Sequence, residues 1–347
     1  MKYFLSVIAV IFAVLLVLDP GAASGAVRTA VSDCLEVIVP SLFAFTVLAI
    51  WLQKSGLYRV ALKPLTFPLS KLLRMDEELC AVFLLANIGG YPVGARLLSE
   101  LVKNGRISPK DAGRMLCCCF GSGPSFVVGI AGAQIFGSTE AGLALFGACF
   151  FSSLLIAAAV RVRGEIPLKK AESRYSFTPE DFTSSVTGGA RVMFTVCVMI
   201  VGFSAVTALF RQVGIFSLFE RLFGNAEIFP ALLEVTRIKA VSPTAAAMPV
   251  CAALLSFGGI CVHLQISALA KGIPLRGFLL SRIPAAAFSA LLAMPFSRRF
   301  AVEGIPALAP NASAEAFSKN AVISACVLIM SGILLIETGR ARGRTKE

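Results

Sequence analysis

Four short segments carry side chains that could hold a small molecule, and each interrupts an apolar stretch. The first reads Asn-Ile-Gly-Gly-Tyr-Pro-Val-Gly (87–94). Asn87 offers both an amide donor and an acceptor, and Tyr91 offers a hydroxyl and an aromatic face. Gly90, with its neighbours Gly89, Pro92 and Gly94, suits a tight unwound turn. Arg96 follows a few residues later. An arginine inside an apolar segment is costly and points to function, although its long stem also allows it to reach an aqueous edge. In the second segment Ser122, Gly123, Pro124 and Ser125 combine two hydroxyls with backbone groups freed by the proline. The third holds Glu234, Thr236 and Arg237, whose carboxylate could bind a proton, sodium or a substrate hydroxyl. Its i, i+3 spacing to Arg237 equally fits a plain ion pair. In the fourth, Ser256, Gly259 and His263 fall on one face at helical spacing, with Gln265 near the same depth. His263, the sole histidine, reads either as a proton carrier or substrate donor or as a core residue.

These are binding groups, and nothing around them reads as catalysis. No Walker loop, dinucleotide fingerprint, metal-ligand spacing or Ser-His-Asp arrangement stands out, so no enzyme activity, metal or cofactor is expected. The ten cysteines, three of them adjacent at 117–119, lie almost all in apolar runs and read as small packing residues.

The elements that must position these groups are set by composition. The chain has 347 residues, 57% hydrophobic and 15% charged, with a mean hydropathy of +0.82. A soluble domain carries about 25% charged residues, so a soluble enzyme, a disordered chain and a polar solenoid are excluded. One membrane crossing takes about 20 apolar residues. Apolar runs at 4–18, 35–52, 141–160, 192–210, 278–296 and 321–336, with interrupted ones at 112–136 and 252–270, predict about eight transmembrane helices. Two further stretches, 79–102 and 228–250, carry the first and third polar segments at their middles. Arms of about 7–10 residues reach roughly 10–15 Å as helix, half of a ~30 Å apolar core, which predicts two re-entrant hairpins.

The net charge of +12 is divided unevenly by this layout. With the amino terminus on one side, that side receives Lys2, the basic residues of 54–74, 103–114, 161–174 and 271–282, and the tail with Arg340, Arg342, Arg344 and Lys346. The other receives Arg28, Arg211, Arg221, Arg298, Arg299 and Lys319. The rich side is therefore read as cytoplasmic, with both termini inside a multi-pass protein of the cell membrane. The positive excess is thereby absorbed by topology, and no nucleic-acid partner is expected. Residues 1–26 also resemble a signal-like segment.

The order of elements repeats. Residues 51–57 and 209–215 end a crossing. Amphipathic stretches at 58–74 and 216–224 follow, then a hairpin, an interrupted crossing and an uninterrupted one. The resulting organisation is an N-terminal membrane helix (1–26), a first repeat (27–160), a cytoplasmic linker (161–185), a second, inverted repeat (186–297), and a C-terminal membrane helix with a basic tail (298–347). The fold class is thus an all-α membrane protein, a polytopic bundle with inverted-repeat transporter architecture.

The segments 87–96, 121–125, 233–237 and 256–265, in that order, resemble the YlbJ/SpoVV family of sporulation integral membrane proteins. That family carries nucleoside recognition Gate domains similar to parts of concentrative nucleoside transporters. The resemblance covers roughly residues 30–300. It departs at Glu-Val-Thr-Arg-Ile-Lys (234–239), where a glycine is expected soon after the threonine, and at Phe-Gly-Ser-Gly-Pro (120–124), where relatives tend to have an asparagine. It implies movement of dipicolinate, a small aromatic dicarboxylate, during spore formation. Arg96, Arg237, His263 and the freed helix ends would suit such an anion.

The expected function is secondary transport of a small organic anion of the dipicolinate type, with coupling by a proton or sodium through Glu234 left open. A nucleoside carrier is one alternative. A non-transporting membrane scaffold or assembly factor for sporulation is the other. The expected partners are a small-molecule substrate and the lipid bilayer, with a homo-oligomer left open.

Overall fold

The computed structural model describes residue 14 and residues 20–169, 178–223, 228–242, 244 and 246–300. Regular structure among the described residues is entirely helical, without a strand. The helices that matter here are α1 (Pro20–Asp33), α2 (Val39–Ser55), α3 (Lys63–Leu73), α4 (Glu77–Gly89), α5 (Tyr91–Lys103), α6 (Pro109–Leu116), α7 (Pro124–Ile135), α8 (Thr139–Val162), α9 (Pro179–Gln212), α10 (Ile215–Phe223), α11 (Ile228–Leu233), α12 (Ala247–Phe257), α13 (Gly259–Leu269) and α14 (Arg276–Ala293).

Local chemistry sets where these helices start. The Asp76 carboxylate accepts from the Glu78 amide to open α4, and Ser108, Ser138 and Thr178 do the same for α6, α8 and α9. Each supplies an acceptor to an amide that has no partner within its helix. Gly56 ends α2 in the left-handed region at φ 73°, where glycine carries no Cβ penalty.

Among the described residues, five helical spans are long and apolar enough to cross a membrane: Ala23–Ser55, Thr139–Val162, Pro179–Gln212, Ala247–Leu269 and Arg276–Phe300. They are apolar on both faces. In α8, Leu145, Cys149 and Ile156 are buried while Leu143, Phe151 and Leu155 are exposed. In α14, Phe278 and Ala285 are buried while Leu280, Ile283 and Leu291 are exposed. A surface helix in water would be polar on the outer side, so these outer faces belong against lipid. These spans coincide with five of the crossings expected from the sequence. The stretch at 112–136 is broken into α6 and α7 by unwound residues. The segment 321–336, and 4–18 apart from residue 14, lie outside the described residues.

Helix contacts use small residues and hydroxyls. Ser152 of α8 donates to the Ala285 carbonyl of α14 at 2.7 Å, and Ser289 of α14 donates to the Ala252 carbonyl of α12 at 2.9 Å. A Cβ on Gly132 of α7 would stand 2.6 Å from Gly142 Cα of α8, so those two backbones touch. Such close approach is the usual source of helix association where no water is expelled.

The two segments read as hairpins differ. Helices α4 and α5 have 13 residues each, roughly 20 Å at the helical rise, and turn back on each other at Gly90. The second has α11 of six residues, then Glu234 in extended backbone (φ −143°), then a 3₁₀ turn, Val235–Ala240. The Glu234 carboxylate accepts the Thr236 amide at 2.8 Å, a local bond that replaces the next helical one and stops α11.

Candidate functional site

The first tip is built from Asn87, Gly90 and Tyr91. Gly90 has φ 93°, a backbone closed to ordinary side chains. The unwound residues after α6 lie directly on this tip. A Cβ on Gly121 would meet Asn87 Oδ1 at 2.7 Å, and one on Gly123 would meet Gly90 Cα at 3.3 Å. Asn87 Nδ2 donates to the Phe83 carbonyl at 2.9 Å and to the Cys118 carbonyl at 3.3 Å. One side chain therefore ties the end of α4 to the interruption. Ser122 is buried, and among the described residues its hydroxyl makes no hydrogen bond of full geometry, the Tyr91 hydroxyl being its polar neighbour. Ser125 lies half-buried near the start of α7.

The two halves meet through aromatic rings. The Tyr91 hydroxyl donates to the Leu255 carbonyl at 2.7 Å, near the end of α12. Tyr91 packs against Phe120 with ring centroids 4.7 Å apart. Gly258, at φ 87°, offers bare backbone to that pair, since a Cβ there would stand 2.5 Å from Phe120 Cζ. On its other flank Gly259, at φ 73°, approaches the second tip, where a Cβ would be 3.2 Å from the Val235 amide nitrogen.

Within the second tip Glu234 is 1% exposed. Its carboxylate accepts the Thr236 amide and, in a short contact, the Thr236 hydroxyl. Arg237 Nε stands 3.9 Å from the carboxylate, while its Nη2 donates to Ser204 Oγ of α9 at 2.9 Å. The ion-pair spacing noted in the sequence is thus realised, loosely, and the guanidinium is shared with α9. Lys239 pairs with Asp33 of α1 at 2.9 Å.

The remaining residues separate. His263 packs among rings, edge-on to Phe257 at 4.9 Å and parallel to Phe120 at 6.3 Å, and its Nε2 has no partner among the described residues. The left-handed residues Gly258 and Gly259 divide Ser256 from His263, so their continuous helical face is interrupted. Gln265 is buried and donates to Cys261 Sγ at 3.4 Å within α13. Arg96 lies away from the tip and pairs with Glu100 at 3.0 Å, one turn further along α5.

One residue at this junction was not singled out from the sequence. Arg282 had been counted with the cytoplasmic charges of 271–282, but it is 2% exposed. It donates in a short contact to the Cys117 carbonyl, to Ser281 Oγ at 3.0 Å and to the Ser256 carbonyl at 3.4 Å. Its guanidinium carbon lies 4.6 Å from the Phe120 centroid and 5.0 Å from that of Phe278, close enough for cation–π attraction. Cys117 and Ser256 belong to the two interruptions, so one guanidinium bridges both. The available signal was its position as the fifth residue of the apolar run 278–296, beside Ile283 and Pro284.

Outside the apolar spans, Arg106 donates through both terminal nitrogens to Glu78 and through Nε and Nη2 to the Lys169 carbonyl. The Glu78 carboxylate holds the Arg106 guanidinium above its ordinary pKa. This cluster fixes the far ends of the α4–α5 hairpin, opposite the tip. Among the described residues no group of His, Cys, Asp and Glu side chains could hold a metal ion.

Over 148 residues the chain is 28% identical to the sporulation integral membrane protein YlbJ of Bacillus subtilis (strain 168). That match takes in 42% of this chain and 36% of the relative, so the chain covers about a third of that protein. No protein-family model matches the chain, and no solved structure matches it. Together with five apolar spans, the similarity describes a multi-pass membrane protein related to a sporulation integral membrane protein.

Proposed function

We propose that the protein is a secondary transporter of a small organic anion, of the dipicolinate type, acting in spore formation. The observation that carries this reading is the convergence of four backbone interruptions. The Gly90 turn, the unwound residues 117–123, the Glu234 turn and the Gly258–Gly259 break pack on one another through bare glycine backbone. Broken helices turn unpaired amide and carbonyl groups toward a common centre, which is how carriers bind substrate without placing many charges in lipid. Eight crossings, two re-entrant hairpins, inverted repeats and cytoplasmic termini complete the proposed architecture. In it the junction lies near the midplane, and one repeat moves against the other to alternate access. Glu234 is the proposed site for a coupling proton or sodium.

A buried arginine and an aromatic surround favour an anion over a nucleoside. The test is uptake by the purified protein in vesicles, offered pyridine-2,6-dicarboxylate or uridine, with Glu234→Gln alongside. Uptake of the dicarboxylate, reduced in the variant, is expected. Uridine uptake alone would turn the reading to a nucleoside carrier. Uptake of neither by folded protein would favour a scaffold.

A further inference from the structure

Arg282 is buried and forms no ion pair with any described Asp or Glu. Its bonds are to the Cys117 and Ser256 carbonyls and to Ser281 Oγ, and its Nε has no partner among the described residues. Removing a guanidinium from water without a carboxylate to meet it is costly, and apolar replacements of buried charges are often more stable. The Arg282 hydrogen bonds satisfy two broken helix ends, but they leave the charge itself without a counter-ion among the described residues. Among the described residues two other buried polar atoms make no hydrogen bond of full geometry, Ser122 Oγ and, beside the same Phe120 ring, His263 Nε2. They come from different elements: Ser122 from the first interruption, His263 from α13, Arg282 from α14. The rings of Phe120, Phe278, Tyr91 and Phe257 pack against one another or against His263, and Arg282 lies over Phe120 and Phe278.

We infer that Arg282 is the receptor for the carboxylate of a small aromatic anion, an inference that rests on the transport reading above. A carboxylate meets a guanidinium with two parallel charge-assisted bonds, each stronger than a bond to a neutral carbonyl. It therefore displaces the Cys117 and Ser256 carbonyls, while its ring takes up the aromatic surround. One carbonyl is released in each interruption. Substrate thus exchanges places with the bond bridging the two halves, which links occupancy to their relative movement. On this inference the substrate enters by the pocket lined by Lys110, Arg114 and Arg163, which has Cys117 and Gly277 in its wall. Three of its lining residues are cationic and none is acidic, and Cys117 is the residue whose carbonyl accepts from Arg282.

The test is equilibrium binding of radiolabelled pyridine-2,6-dicarboxylate to the purified full-length protein, in wild type, Arg282→Gln and Arg282→Lys. Loss of the guanidinium is expected to weaken binding about ten- to a hundredfold, with lysine intermediate because it keeps the charge without the fork. A folded Arg282→Gln protein that binds with wild-type affinity overturns the inference. If that variant does not fold, hydrogen exchange on the wild type decides. Saturating dicarboxylate must change exchange in both 117–123 and 256–259, and unchanged exchange in either overturns the inference. Vesicle uptake separates the two levels. Equal dicarboxylate uptake by wild type and Arg282→Gln removes the arginine's role and leaves the transport reading intact. No uptake by wild type removes the transport reading itself.

Discussion

Gly94→Ala isolates the contact between the first hairpin and the first interruption. Gly94 sits inside α5 and faces the unwound residues after α6. An added Cβ would stand 2.0 Å from the Cys119 carbonyl oxygen and 3.0 Å from Ala86 Cβ. Carbon–oxygen contacts of this kind normally lie at about 3.3 Å or more, so the two segments must part by roughly 1 Å. Neither obstacle is the end of a flexible side chain. Overpacking of this kind costs about 1–3 kcal/mol. The separation also removes the 3.3 Å bond from Asn87 to the Cys118 carbonyl, about 1 kcal/mol more. Alanine returns about 1 kcal/mol in helix propensity. The balance is a loss of roughly 1–3 kcal/mol, measured as a lower melting temperature of the detergent-solubilised protein. Gly147→Ala on α8 is the control, since its Cβ would meet nothing within 4 Å. It should be neutral or slightly stabilising. Equal melting temperatures for the two variants would refute the close packing on which the site depends.

Three further substitutions probe separate parts of the structure, two at the junction and one at the far end of the α4–α5 hairpin. Asn87→Asp removes the donor that serves the Phe83 and Cys118 carbonyls and puts an acceptor against acceptors. A melting-temperature loss equivalent to about 2 kcal/mol or more is expected, larger than for Asn87→Ala. Thr236→Val keeps the shape but removes the hydroxyl bonded to the buried Glu234 carboxylate. Stability should fall by about 1–3 kcal/mol in the same assay, and an unchanged melt would show that the carboxylate is satisfied without it. Glu78→Gln breaks the charged pair with Arg106. Because Arg106 is raised above its ordinary value, its contribution is fully present below that value and is lost only as pH rises through the raised one. Between pH 7 and 10 the wild-type melt should therefore show no loss from this arginine, while Glu78→Gln should cost about 1–2 kcal/mol throughout.

The spans and interruptions were legible because both are local. A run such as 141–160 is apolar at every turn, and Gly-Gly-Tyr-Pro cannot continue a regular helix without strain. The second tip was less legible. Its segment was read as a hairpin with arms like the first, but a bond from the Glu234 carboxylate to the Thr236 amide stops α11 after six residues. A bond between neighbours two apart competes with helix on nearly equal terms, and hydrophobic periodicity does not register it. The placement of Ser256 and His263 on one face failed for a related reason. Two successive glycines at positive φ rotate α13 away from the register of α12, and a spacing rule assumes continuous helix.

Arg282 shows what charge counting alone does not resolve. Near the start of an apolar run, an arginine is ordinarily a flanking residue that reaches out to lipid headgroups. Residues 271–282 contain three such cations, and sequence position does not tell them apart. Packing does. Lys271 and Arg276 are exposed, while Arg282 lies one and a half turns deeper on the face of α14 that meets α12 and α8. That face must reach two carbonyls, at Cys117 and Ser256, which exist as free acceptors only because both helices are broken there. Each feature requires the other. Without the interruptions a buried guanidinium would have no acceptors, and without the guanidinium two helix ends would be buried unpaired. The buried charge and the broken helices are therefore one device, and a ligand that competes for the arginine acts on both interruptions at once.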